Sequence, residues 1–283
     1  MLARLVIAVL LLAAVAVVTG REDEAAGGDG REVVVATTTQ AADLARNVAG
    51  DDVEVVGLLA PNADPHDYEI RPRDLRALAE ADLVVRSGGD VDQWVLDAGF
   101  DAPVVTLIQD DDPHWWQDPR NAIAAVGVLE RALGTDASAY VARLRALDRA
   151  VAACIAQIPA AQRKLVTTHD AMGAYARRYG LEVIGAVIPS LSTRGQPSAG
   201  EVADLVRTIR EQGVKAIFAE SSVNPKVEQA IARETGAVVG RPLWADTLGP
   251  PGSDGATYID SIAANTRAIT EGLTGRECDV RGF

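Results

Sequence analysis

The chain has 283 residues, enough for one large core or two ordinary domains, since single cores stop growing at roughly 250–300 residues. A composition of 48% hydrophobic and 24% charged residues is that of a globular protein and argues against a disordered or polytopic chain. The net charge of −13 argues against nucleic acid as a partner, because phosphates need a basic face, and suits a cation.

From the N-terminus, Met1 to Arg4 precede an apolar run from Leu5 to Val18, then Thr19-Gly20 and a polar, glycine-rich stretch from Arg21 to Gly30. This is the pattern of an export signal over residues 1–20 followed by a flexible tether over 21–30. Fourteen apolar residues fall short of the roughly 20 that span a bilayer, so a cleaved signal is expected rather than an uncleaved anchor. The mature chain is expected in the periplasm or cell envelope. Val18-Thr19-Gly20 resembles the run before a lipidated cysteine, but position 21 is Arg, and without a thiol no thioether lipid can form there.

Beyond Arg31, short β-branched runs alternate with amphipathic stretches. Val33 to Ala36, Val53 to Leu58, Leu83 to Val85 and Pro103 to Leu107 read as strands, with helices at Ala41 to Val48 and Arg73 to Glu80. The alternation then breaks: helices over Asn121 to Leu133 and Ala137 to Ile158 follow one another, with Asp136 placed to cap the second. Strands resume at Lys164 to Thr168, Glu182 to Ile188, Lys215 to Ala219 and Ala237 to Val239. Helices are expected at Ala171 to Tyr179, Gly200 to Gln212, Pro225 to Thr235 and Thr257 to Leu273. The expected fold is α/β, with two lobes (31–135 and 160–283), each a roughly four-stranded parallel sheet flanked by helices. One long helix over 136–159 would join them as a stiff strut.

The chain contains three histidines, and each follows an expected strand end, the edge of an open α/β sheet where ligands bind. His66 lies in Asp64-Pro65-His66-Asp67-Tyr68-Glu69, His114 in Asp112-Pro113-His114-Trp115-Trp116, and His169 in Thr167-Thr168-His169-Asp170-Ala171. Asp246, in Trp244-Ala245-Asp246-Thr247-Leu248-Gly249, is a fourth candidate, although an Asp there could equally cap a turn. Three imidazoles and one carboxylate, two donors from each half, would suit Zn²⁺ in four-coordinate geometry, with Mn²⁺ as the alternative. Glu220, Asp67, Asp118 and Asp170 are candidates to hold the outer imidazole nitrogens, Glu220 alternatively serving as a cap. Trp115 and Trp116 read as packing, and Asp110-Asp111-Asp112 as a solvated acidic loop. Cys154 and Cys278 lie outside any metal-like spacing; either they are bridged in an oxidising compartment or they are two separate buried thiols.

The motifs around His66, His114 and His169, together with Phe218-Ala219-Glu220, Asn224-Pro225-Lys226 and Asp246-Thr247-Leu248-Gly249, resemble those of the zinc/manganese solute-binding proteins of ABC importers. The likeness runs in order from about Arg31 to the C-terminus. It implies two α/β lobes on one long helix, metal ligation by His66, His114, His169 and Asp246, and an ABC permease as partner. It also implies that His169, at a position where manganese-type members carry a carboxylate, favours zinc. The histidine-rich loop of many zinc members is replaced here by the short acidic one.

Capture and delivery of an ion, without catalysis and by a monomer, is therefore the leading expectation. A zinc hydrolase would need a general base beside an open metal position, for which only Glu220 can be nominated. A surface adhesin with structural zinc would share the fold.

Overall fold

The computed structural model describes residues 30–109, 112–281 and 283. The signal segment, nearly all of the tether, and Asp110 and Asp111 of the acidic loop lie outside the described residues. Among the described residues no helix is long and apolar enough to cross a membrane.

The first half is a four-stranded parallel sheet in the order β2-β1-β3-β4. Its strands are β1 (Glu32–Ala36), β2 (Val53–Gly57), β3 (Leu83–Arg86) and β4 (Val104–Thr106). Val34 and Val35 of β1 and Val84 and Val85 of β3 are fully buried, because a central parallel strand is covered on both faces. Between these strands run α1 (Thr39–Val48), started by the Thr38 hydroxyl accepting from the Ala41 N–H, and α2 (Pro72–Ala79), with proline in its first turn.

The connection to the second half is α3 (Pro119–Leu133) followed by α4 (Ser138–Ile155). Gly134, at φ 65°, ends α3 in the left-handed conformation that favours glycine. Asp136 does accept from the Ser138 N–H, at 2.8 Å, but the cap position itself is Ala137. At 18 residues α4 is about 27 Å long, shorter than the sequence pattern suggests. Its end tightens into bonds from Gln157 N to Cys154 O and from Ile158 N to Ile155 O before Pro159, which disfavours helix in the residue preceding it.

The second half contains β5 (Lys164–His169), α5 (Gly173–Tyr179), β6 (Glu182–Ile188), α6 (Ala199–Gln212), β7 (Ala216–Ile217), α7 (Lys226–Thr235), β8 (Val238–Val239) and α8 (Tyr258–Thr274). Its strands form two parallel ladders, β5-β6 and β7-β8, rather than one continuous sheet. The Phe218 N–H donates to Val166 O at 2.8 Å, and Thr167 and Phe218 form an isolated bridge, so the ladders meet at β5 and β7. The expected third and fourth strands are short, Ala216–Ile217 and Val238–Val239, and beyond β7 the pairing continues only as isolated bridges, Phe218 with Thr167 and Glu220 with Leu243.

A single apolar cluster includes Val34 and Leu44 of the first half, Leu129 and Leu144 of the connecting helices, and Phe218 and Ile262 of the second. Residues Glu32–Phe283 accordingly form one compact unit. Truncating Leu144, fully buried at this junction, removes packing on both sides; such losses cost about 2–5 kcal/mol.

Candidate metal centre

Each histidine stands where a strand gives way to a turn. His66 lies in the loop from β2 to α2, His114 between β4 and α3, and His169 is the last residue of β5. The two Asp-Pro-His segments fold alike. Asp64 Oδ1 accepts from the His66 N–H at 2.9 Å, and Asp112 Oδ1 from the His114 N–H at 3.0 Å. A short acidic side chain closes such a turn by bonding backbone two residues on, and the intervening proline presets its φ. Tyr68 anchors the far end of the first segment by donating to Asp74 Oδ2 at 2.6 Å, the oxygen that also accepts the Arg71 N–H at the start of α2.

These turns bring His66, His114, His169 and Asp246 together, with one donor atom from each within 4.8 Å of the others. His114 Nε2 is 3.3 Å from His66 Nε2 and 3.2 Å from His169 Nε2. Asp246 Oδ2 is 3.3 Å from His66 Nε2 and 3.2 Å from His169 Nε2, while its Oδ1 is 3.3 Å from His114 Nε2. A tetrahedron with bonds of about 2.0 Å, the usual Zn–N and Zn–O length, has edges of about 3.3 Å. The nitrogens and the carboxylate thus surround a point where a divalent ion fits. Among the described residues no group gives either Asp246 oxygen a well-directed hydrogen bond, although both are buried. Buried carboxylate oxygens left in that state are costly without a cation.

The outer nitrogens are held unequally. His114 Nδ1 lies 2.9 Å from Asp112 Oδ1, and His169 Nδ1 lies 2.7 Å from Glu220 Oε2. Both contacts leave Nε2 as the inward donor and raise its basicity. Glu220 is itself braced, since its N–H donates to Thr168 Oγ1 at 3.1 Å and that hydroxyl donates to the buried Glu228 at 2.6 Å. Asp118 instead caps α3, accepting from the Arg120 N–H at 2.8 Å, and Asp67 and Asp170 are exposed. The partner of His114 is Asp112, the first residue of its own motif. Its double use, on the backbone and the ring of one histidine, was open to inference from Asp-Pro-His. The partnership of Thr168 and Glu228, 60 residues apart, left no local trace.

Burial presses the pKa of His114 and His169 down, but the neighbouring carboxylates, Asp246 foremost, together outweigh it. Asp246 with Asp112 pushes His114 up to about 9, and with Glu220 pushes His169 up to about 11. Asp246 is driven well below the usual carboxylate range by the two imidazoles, against its burial. Burial, with Asp246 nearby, raises Glu220 to about 7. The upward shift of the two imidazoles and the downward shift of Asp246 both favour positive charge at the centre of the cluster, the charge a divalent cation would supply.

Contacts across the two halves cluster on the Asp246 side. Trp116 Nε1 and Gln117 Nε2 both donate to Ala245 O, at 2.7 and 2.6 Å, and the Leu248 N–H donates to Thr39 Oγ1 at 2.9 Å. Trp115 and Trp116 are 2% and 1% exposed, so they pack the junction. Cys154, near the end of α4, is disulfide-bonded to Cys278 beyond α8.

Residues 34–272 match the family described as the periplasmic component A of the zinc-uptake complex. The chain is 30% identical over 259 residues to the iron-binding protein YfeA of Yersinia pestis, covering 82% of this chain and 83% of that protein. It is 32% identical over 268 residues to the manganese-binding lipoprotein MntA of Bacillus subtilis, covering 83% and 87%. To the zinc-binding protein TroA of Treponema pallidum it is 30% identical over 265 residues, covering 82% and 85%. The solved structure of that periplasmic zinc-binding protein superposes with a TM-score of 0.78 at 28% identity, over 86% of this chain and 99% of that one.

Proposed function

Since the chain belongs to the family of the periplasmic component A of zinc-uptake complexes, we propose that it captures one Zn²⁺ ion outside the cytoplasm. His66, His114, His169 and Asp246 hold the ion, and the loaded protein delivers it to the permease of an ABC importer. The observation that carries this reading is the set of contacts at 3.2–3.3 Å among four buried donors drawn from both halves.

Overall likeness does not choose the metal, because relatives named for iron, manganese and zinc stand at 30%, 32% and 30% identity. The donor set does. Three imidazoles and one carboxylate favour Zn²⁺, whereas Mn²⁺ prefers a larger share of oxygen.

A binding role fits the surroundings better than hydrolysis. Glu220, the nearest available base, is buried against His169 Nδ1 rather than facing a coordination position. With every donor supplied by protein, no place remains for an activated water.

Calorimetric titration of the exported chain with Zn²⁺, Mn²⁺ and Fe²⁺ tests the reading. One tight Zn²⁺ equivalent, weaker Mn²⁺ binding and loss of the zinc site in His169→Ala are expected. Tighter Mn²⁺ binding, or unchanged zinc binding in the variant, overturns it.

A further inference from the structure

His66 differs from the other members of the cluster in its exposure to solvent. At 7% exposure it is the one nearest solvent, against 0% for His114 and 1% for His169 and Asp246. Its loop is also reached by a segment of the opposite half. The backbone from Pro189 to Ser198 leaves the end of β6, where Ile188 is in register with His169, and the Ser190 carbonyl accepts the Asp170 N–H at 3.0 Å. Three residues later the Thr193 hydroxyl donates to Asp64 Oδ2 at 2.6 Å. The other oxygen of that carboxylate, Oδ1, closes the turn that presents His66.

One segment therefore touches the flank of His169 at its base and the support of His66 at its tip. We infer that Thr193 is a positioning residue for the metal. Through Asp64 it fixes the turn carrying His66, and so governs how fast the ion leaves the cleft.

The physical argument is short. The turn holding His66 depends on the orientation of a partly exposed carboxylate, which without a second partner is free to rotate into water. A hydroxyl donating to a charged oxygen makes a stronger bond than a neutral pair and here fixes both ends of the carboxylate. Thr193 touches none of the four donors, so its loss leaves their chemistry intact. The ligand nearest the exit lets go more often, and the effect falls on release rather than capture. The inference rests on His66 being a ligand.

Stopped-flow transfer of Zn²⁺ from the loaded full chain to a chromogenic chelator tests it. Thr193→Val, which keeps the shape and removes the hydroxyl, should speed release by roughly tenfold, equivalent to about 1.4 kcal/mol, with the association rate changed by less than about twofold. Thr193→Ser, which restores the donor, should release at the rate of the unsubstituted chain, and both variants should melt like it when metal-free. Release from Thr193→Val at the unsubstituted rate, or equally fast release from both variants, overturns the inference alone. Failure of the unsubstituted chain to retain zinc at all would instead overturn the reading of the site.

Discussion

His114 and His169 are embedded, whereas His66 is suspended. Each embedded ring has a carboxylate on its outer nitrogen, Asp112 or Glu220, and their surroundings are sewn together by Trp116, Gln117 and the Ala245 carbonyl. The His66 turn leans instead on Asp64 and Tyr68, and the far half reaches its loop through the Thr193 hydroxyl on Asp64 and the Leu248 carbonyl, which accepts the Asn62 N–H at 2.9 Å. A carrier must bind tightly and still release, and a site with one light wall can do both. The embedded side supplies affinity and the suspended side supplies the way out.

The largest effects should come from breaking the embedded side. His114→Ala removes one of the four donors and leaves the buried Asp246 facing an unfilled position; breaking such a pair costs about 3–5 kcal/mol, so zinc affinity should fall by about a thousandfold. His66→Ala admits water in place of the ring and should cost roughly tenfold less; competition titration of both variants checks the order. Equal losses would erase the distinction between the two sides.

Glu220→Gln keeps the shape but weakens the hold on His169 Nδ1, and should lower affinity by about 10–100-fold by the same titration.

Acidity sharpens the comparison further. Because the folded pKa values of His114 and His169 lie above the ordinary value near 6.5, their protons stabilise the metal-free protein fully below that pH. This contribution is lost as the pH rises through about 9 and about 11. Zinc requires neutral rings, so its affinity should climb over the same window. At pH 7, calorimetry in buffers of different ionisation enthalpy should record proton release on zinc binding; release of none contradicts the account.

The disulfide provides the smallest effect on the site. Removing Cys154–Cys278, 124 residues apart, should cost up to about 5 kcal/mol of stability in denaturant melts while leaving zinc affinity within about twofold.

Much of this was legible in the sequence because it is local. The period of Val33 to Ala36 and its neighbours marks the strands, and Asp-Pro-His marks both the turn and the ring it presents. His169 sits on the final residue of a strand whose β-branched run ends there. What escaped is non-local. Asp118 is the local exception: it reads like a possible ring partner but stands one residue before Pro119, where capping claims it. The split of the second sheet into two ladders linked by isolated bridges depends on pairing between distant segments, which periodicity over a few residues does not register. Thr193 reaches Asp64 across 129 residues, and no spacing rule connects them.

X-ray absorption at the zinc edge of the loaded chain tests the central claim most directly. Three imidazole nitrogens and carboxylate oxygen at about 2.0 Å are expected. A shell made only of oxygens, or one with fewer than three imidazoles, would contradict a metal held between the two halves by His66, His114, His169 and Asp246.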